Sequence, residues 1–126
     1  MIFVDTSAVM YAVGRPHPLR QEAQEFFRRQ LQTPDGLVTS AEVLQELVHA
    51  YLPPQRLETL DAAFALVTAS VPTIWSIEPE DVRHAVALIP SHPELESRDL
   101  LHLACCQRRG VERVQTFDRA LRAAFL

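Results

Sequence analysis

The sequence predicts an α/β fold in which a central, mainly parallel sheet lies between two layers of helices. Short apolar segments with strand character alternate along the chain with longer segments whose apolar residues recur at helical spacing. Such alternation is typical of parallel sheets that helices cover on both faces. The chain has 126 residues, 48% of them hydrophobic, which suits one buried core. We therefore expect residues 1–126 to form a single three-layer α/β/α sandwich.

Four strands and seven helices are predicted from these patterns. The strands are expected at residues 2–5, 37–39, 73–77 and 114–117. The helices are expected at residues 6–13, 19–32, 41–51, 55–70, from 78–81 onward, 98–109 and 118–125. The expected caps of the first, third and sixth helices are Thr6 or Ser7, Ser40 and Ser97. The expected breaks lie at residues 14–18, 33–36, 53–54, 92–93 and 110.

Composition limits the classes of function. The net charge is −4 and all 12 basic residues are arginine, so no mechanism that needs a lysine is available. An acidic chain does not suggest a broadly basic surface for nucleic acid, although a local basic groove stays open as an alternative. Adjacent Cys105 and Cys106 lie in an apolar helical segment, which predicts buried thiols rather than disulfides or a zinc site. Because no signal peptide or membrane-spanning run is evident, we expect a cytoplasmic protein.

Carboxylates follow two of the strand candidates. Asp5 ends the segment IFVD and Asp118 ends VQTFD, while Asp99 lies in the first turn of the sixth predicted helix. Binding sites of open parallel sheets lie beyond the carboxyl ends of the strands, so these acids converge if their strands are neighbours. Several converging carboxylates stay ionised only if a cation neutralises them, and oxygen ligands in that number favour Mg²⁺ or Mn²⁺.

Each acid also has a plain structural explanation. Asp5 and Asp118 each precede a helix and could simply cap it, and the helix dipole favours an acid at the position of Asp99. A fourth acid comes from the third predicted helix, where Glu42 and Glu46 compete. At about 100° per residue, Glu46 lies closer to the apolar face, so it is the better candidate to reach a half-buried cleft.

Four segments in order, VDTSA, TSAEVLQEL, SRDLLHLA and VQTFD, together resemble the PIN-domain family, particularly its small VapC-type toxin ribonucleases. The resemblance implies that the four acids of the family fall on Asp5, Glu46, Asp99 and Asp118. It also places the hydroxyl that follows the first acid on Thr6 or Ser7, and the threonine of the TxD pattern on Thr116. The implied activity is that of a metal-dependent endoribonuclease, the toxin of a toxin–antitoxin pair, which hydrolyses RNA phosphodiester bonds.

The resemblance further implies the role of each residue and the partners of the protein. With Mg²⁺ or Mn²⁺ as the cofactor, Asp5 and Asp99 are expected to ligate the principal ion, Asp118 to complete or share a second site, and Glu46 to act through water. The hydroxyls expected to hold these carboxylates in orientation are those of Thr6, Ser7 and Thr116. The expected partners are an RNA substrate, a cognate antitoxin protein and a second copy of the chain in a homodimer.

Contacts with the substrate are predicted from sequence position alone. Arg98 and Arg119 adjoin two of the acids, and Arg15 follows the first helix, so each is a candidate for phosphate binding, with surface solvation as the alternative. His102 lies three residues after Asp99 on the same predicted helix. We expect His102 to be a partly buried structural residue, with metal ligation or proton transfer as the alternative.

Other classes of protein fit less well. Metal-dependent phosphatases need a second aspartate where Ser7 stands, both they and receiver domains generally use a lysine, and no P-loop motif occurs. Two alternatives stay open at this point: a housekeeping PIN-like nuclease, and a PIN-like module that binds RNA or protein without catalysis. Metal binding distinguishes such a module from an enzyme.

Overall fold

The sheet has four parallel strands, as predicted. The structure is a computed structural model that describes residues 1–32 and 36–126. The strands β1 (Ile2–Val4), β2 (Leu37–Ser40), β3 (Thr73–Trp75) and β4 (Arg113–Gln115) pair in the order β3-β2-β1-β4. Val4 at the end of β1 lies opposite Gln115 at the end of β4. The residues that follow these two strands therefore leave the sheet side by side.

Helices connect and cover the strands. Within the described ranges they are α1 (Thr6–Val13), α2 (Arg20–Gln30), α3 (Ala41–Tyr51), α4 (Leu57–Ser70), α5 (Pro79–Leu88), α6 (Ser97–Arg108) and α7 (Arg119–Ala124), with a 3₁₀ turn at Ile89–Ser91. The predicted order of elements is confirmed, but β3 ends two residues early, and β4 lies one to two residues before its predicted bounds. Thr116 therefore follows β4 rather than lying within it. The turn expected at 33–36 falls largely outside the described residues.

Each face of the sheet carries its own apolar core. Side chains alternate between faces along a strand, so Ile2 and Val4 pack with α1, α2 and α4, while Phe3 between them packs on the opposite face. That opposite face receives α6 through Cys106. This arrangement confirms the three-layer α/β/α sandwich. Cys105 and Cys106 are buried free thiols, as expected. In the part of the chain described, no helix combines the length and apolarity that a membrane crossing requires.

Of the three helix caps predicted at serine or threonine, only the one at α3 is confirmed. There the Oγ of Ser40 accepts a hydrogen bond from the backbone N–H of Val43 at 3.4 Å. At α1 the N-cap is Asp5 rather than Thr6 or Ser7, and within the described residues its carboxylate makes no capping bond. At α6 the N-cap is Glu96, whose backbone is extended, so Ser97 is the first helical residue instead of the cap. The hydroxyls of α1 serve the functional site instead.

A buried ion-pair network joins α5 to α6 and is absent from the sequence prediction. Asp81 is fully buried, and its Oδ1 accepts hydrogen bonds from Nη1 of Arg108 at 2.5 Å and from Nη1 of Arg109 at 2.8 Å. The backbone N–H of Glu78 donates to Oδ2 at 2.8 Å. Burial alone would raise the pKa of Asp81, but these donors outweigh it and hold the pKa well below its ordinary value.

We expect Asp81→Asn to lower the free energy of unfolding by about 3 kcal/mol, because the amide leaves two arginines without their counter-charge in a buried network. Urea unfolding monitored by circular dichroism measures the difference. The matched control is Glu80→Gln on the same helix, whose exposed ion pair with Arg83 should contribute under about 1 kcal/mol. Equal stability losses in the two variants would contradict this role of Asp81.

Candidate metal centre

Two hydroxyl groups fix the carboxylate of Asp5. Its backbone N–H continues the ladder beyond β1 and donates to the carbonyl oxygen of Gln115 at 3.0 Å. Its Oδ2 accepts hydrogen bonds from Oγ1 of Thr116 at 2.6 Å and from Oγ of Ser7 at 3.0 Å. Ser7 in turn accepts a bond from the backbone N–H of Phe117 at 2.9 Å. These contacts hold the buried carboxylate in one orientation and leave Oδ1 as its other donor atom.

Glu46 lies on α3, and its carboxylate contacts Thr6 and His102 near Asp5. The hydroxyl of Thr6 donates to Oε2 of Glu46, and Nε2 of His102 lies 2.8 Å from Oε1. The same Nε2 lies 3.7 Å from Oδ1 of Asp5. Burial alone would raise the pKa of Glu46, but His102, the Thr6 hydroxyl and the charge of Arg98 together hold it below the ordinary value. Glu46 is therefore an ionised, nearly buried carboxylate.

His102 supplies positive charge to this group. Its side chain is 1% exposed. Burial by itself would lower the pKa of His102, but the contact with Glu46 and the charges of Asp5 and Asp99 outweigh burial and raise it. The raised pKa favours the protonated imidazole, whose positive charge partly neutralises the two carboxylates beside it.

These side chains form a donor set that a divalent cation fits. One donor atom from each of Asp5, Glu46 and His102 lies within 4.8 Å of the other two. Across the described residues, Oε1 of Glu46 and both ring nitrogens of His102 have no aligned hydrogen-bond partner, although the Glu46–His102 separation is short. Buried polar atoms left in this state are costly. Carboxylate oxygens are the ligands that Mg²⁺ and Mn²⁺ prefer, so Asp5 and Glu46 match a hard cation. The imidazole of His102 must lose its proton before one of its nitrogens can coordinate the ion.

Asp99 and Asp118 add further negative charge. Burial, followed by the charges of Asp118 and Asp5, raises the pKa of half-buried Asp99 to about 6. Asp118 also caps α7, because its Oδ1 accepts a hydrogen bond from the backbone N–H of Leu121 at 2.9 Å. The capping explanation and the site explanation therefore both apply to Asp118. The charges of Asp118 and Asp5 thus act on Asp99, as expected if these carboxylates converge.

The raised pKa of Asp99 predicts a pH dependence of stability without metal. The folded protein keeps a proton up to about pH 6 that the unfolded chain releases near its ordinary value of 3.8. The free energy of unfolding therefore falls as the pH rises through this window. Asparagine does not ionise, so Asp99→Asn avoids the stability that the unmodified chain loses when Asp99 becomes charged. We therefore expect the free energy of unfolding of the variant at pH 7 to be higher by about 1 kcal/mol, allowing for solvent screening.

Chemical unfolding of chelator-treated protein at pH 4 and pH 7 measures this effect. The control is Asp61→Asn, an exposed acid on α4, which should leave the pH dependence unchanged. An Asp99→Asn variant that is less stable than the unmodified chain at pH 7 would contradict the repulsion inferred from the geometry.

The structure separates the arginines that the sequence singled out. Arg98 is exposed, lies 3.8 Å from Glu96, and lines a groove of about 310 Å³ that Glu46 also lines. Arg15 lines a different cavity, which it shares with Ser7. Arg119 follows Asp118 in the sequence and is exposed. Among the described residues, no hydrogen bond or ion pair joins it to the acids of the site. Arg98 thus shares a groove with Glu46, and Arg15 shares a cavity with Ser7.

His102 contacts the acids of the site, although the sequence favoured a structural role for it and kept metal ligation or proton transfer as the alternative. The expectation of a partly buried structural histidine was wrong in its burial, since the ring is fully enclosed and touches two of the acids. The three-residue spacing from Asp99 put both side chains on one face of α6, and this was the available signal. The preference for Glu46 over Glu42 agrees with the structure, because Glu46 is buried at the site and Glu42 is half-buried in the neighbouring groove.

Comparison with known proteins gives consistent matches along the whole chain. The family model described as PIN domain matches residues 2–125. Ribonuclease VapC23 of Mycobacterium tuberculosis is 58% identical over 125 residues, which cover 99% of this chain and 98% of that protein. Ribonuclease VapC13 of the same species is 38% identical, with 94% of this chain and 91% of that protein covered.

A solved structure agrees with the fold. The crystal structure of Mycobacterium tuberculosis VapC20, described as a sarcin-ricin loop cleaving toxin, superposes with a TM-score of 0.80 and covers 98% of this chain and 95% of its own. The sequence identity is 22%, so this likeness supports the three-layer architecture alone.

Proposed function

Because this chain belongs to the PIN-domain family, among its VapC-type ribonucleases, we propose that it is a metal-dependent endoribonuclease and the toxin of a toxin–antitoxin pair. The observation that carries the proposal is the buried group at the end of β1, where Asp5 and Glu46 of α3 lie around His102 of α6. A structural role alone would not favour this cluster, since each added charge raises the cost of the others, as the pKa of Asp99 reflects. Cation binding offsets that cost.

The residues that would hold the ion are Asp5, Asp99 and Asp118, with Glu46 placed to hold a water molecule or the ion itself. When bound, Mg²⁺ or Mn²⁺ would lower the pKa of a coordinated water and neutralise charge on the phosphodiester. Thr116 and Ser7 keep Oδ1 of Asp5 directed into the site by occupying Oδ2.

The remaining parts of the site support the same reaction. His102 and Thr6 fix the two oxygens of Glu46, so its carboxylate has one orientation toward the substrate. Arg98 at the rim is placed to attract a phosphate of the RNA. Arg119, exposed beside Asp118, is a weaker candidate for the same task.

We propose the biological setting from the same family membership. The relatives are ribonucleases of the VapC type, so the expected partners are an RNA substrate and a cognate antitoxin that neutralises the enzyme. We also propose a homodimer in the cytoplasm, with residues 1–126 acting as one domain.

The decisive experiment for the function is cleavage of RNA by the purified chain. We expect internal cleavage of single-stranded or loop RNA in Mn²⁺ or Mg²⁺, loss of cleavage in excess chelator, and recovery when the metal is restored. Cleavage that persists in chelator would contradict metal dependence, and binding of RNA without cleavage in either metal would favour the non-catalytic module.

A further inference from the structure

A cavity of about 390 Å³ lies beside the acids and has no role in the chemistry described above. Its volume falls within the range of small-ligand pockets, about 300–1,000 Å³. Ser7 belongs to both places, because it lines the cavity while its hydroxyl donates to Asp5 at 3.0 Å. The cavity therefore begins where the acidic site ends, and a nucleotide next to a phosphate held at the acids would meet it.

Aromatic rings form the walls of this cavity. Tyr11 packs edge-on against Phe117, with ring centroids 5.1 Å apart, and lies 4.7 Å from the ring of His17. Tyr51 is 3% exposed and has the guanidinium of Arg56 above its ring at 5.5 Å. These contacts fix the rings in place before any ligand arrives. Flat aromatic faces and guanidinium planes are the groups on which unpaired bases stack.

The cavity is also positively charged, in a chain whose net charge is −4. Arg15 and Arg56 both line it. In the ranges the structure describes, neither has a recorded ion pair with a carboxylate, and Arg56 makes only a weak contact with Thr59 at 3.4 Å besides the one with Tyr51. The carboxylates of the neighbouring site repel a phosphate until a cation binds there. The two arginines of the cavity attract an anionic ligand, and the aromatic rings favour one that also has a flat apolar part.

From these features we propose that the cavity is a nucleotide subsite that takes one unpaired base of the RNA next to the cleaved phosphodiester. The base stacks on Tyr11, and Arg15 and Arg56 bind the flanking phosphates. This subsite rests on the proposed ribonuclease function and adds a determinant of which bond is cut. A base held in a helix would not enter, so the subsite selects single-stranded or looped RNA.

The test uses the full chain and a labelled single-stranded RNA that it cleaves at one mapped bond in Mn²⁺. Tyr11→Leu keeps an apolar side chain but removes the ring and its contact with Phe117, and Arg15→Gln changes an exposed loop residue outside the core. Each is expected to lower kcat/KM about 10-fold at a temperature where it is folded, with the Mn²⁺ affinity of the unmodified chain. Arg15→Gln should also keep the Tm, whereas Tyr11→Leu should lower it, because Tyr11 packs against the core. Arg83→Gln, a matched arginine on the distant α5, should leave kcat/KM unchanged.

An abasic nucleotide beside the cleaved bond distinguishes stacking from other effects. It should lower kcat/KM of the unmodified chain about 10-fold and add little in Tyr11→Leu, because the same contact is already lost. Equal losses in both proteins, or pocket variants that cleave normally, would overturn the subsite alone. Pocket variants that lose a protein partner but cleave RNA normally would assign the cavity to that partner. A chain that cleaves no RNA would overturn the ribonuclease function itself.

Discussion

Replacing Asp5 with Asn is expected to reduce RNA cleavage by on the order of 1,000-fold, as for the loss of a central group in a catalytic cluster. The amide keeps an oxygen that can accept the hydrogen bonds of Ser7 and Thr116, so the local structure should persist. What is lost is the negative charge at the end of β1, and with it the attraction for a divalent cation. Single-turnover cleavage by the folded variant measures the effect.

Two comparisons make the Asp5→Asn result specific. Circular dichroism and the Tm in chelator should stay close to those of the unmodified chain, because the lost attraction to His102 and the relieved repulsion of Asp99 oppose each other. Glu42→Gln, an acid one turn before Glu46 that lies in the neighbouring groove, should retain most of the activity. Wild-type cleavage by folded Asp5→Asn would remove Asp5 from the catalytic machinery.

The second large effect is expected for His102→Leu. Leucine keeps an apolar contact with Phe3, whose ring lies 5.4 Å from that of His102, but it removes the cation between Glu46 and Asp5. Two nearly buried carboxylates then lack their counter-charge, so the free energy of unfolding should fall by about 3 kcal/mol in chelator. Cleavage should fall by about 10- to 100-fold, since Glu46 loses one of its two orienting contacts.

A pair of further variants separates positioning from general destabilisation. His102→Gln retains an N–H donor for Glu46 and should recover part of the lost activity at saturating Mn²⁺. His49→Leu, an exposed histidine of α3 in the groove beside Glu46, should change neither stability nor cleavage. If His102→Leu cleaves RNA at the normal rate once Mn²⁺ has restored its Tm, the histidine has a structural role only.

Local sequence patterns were sufficient for the sheet and for the origin of the acids. Asp5 follows an apolar segment that forms a buried strand, Asp118 comes shortly after β4, and parallel strands place their carboxyl ends at one edge. Glu46 was separated from Glu42 by helical geometry, which depends on nothing outside α3. Because these features depend on residues that are near one another in the chain, they can be predicted from a single sequence.

The contacts between distant residues were not accessible in the same way. The bond between Thr6 and Glu46 and the position of His102 between two acids depend on how α3 and α6 pack against the end of β1. The bond from the N–H of Phe117 to Ser7 depends on the pairing of β1 with β4. Asp81 shows the limit most clearly, because its position predicts an ordinary acid at a helix start. Its partners Arg108 and Arg109 come from another helix and become neighbours only through packing.

Calorimetric titration of Mn²⁺ into chelator-treated protein tests the central claim, that these acids form a site for a divalent cation, most directly. At pH 6 we expect saturable binding with release of protons, because Asp99 has a pKa of about 6 there and must lose its proton to bind a cation. Asp5→Asn should bind far more weakly, and Asp99→Asn should bind weakly and release fewer protons. Equal binding by all three proteins, or no binding by a preparation that cleaves RNA, would contradict the claim.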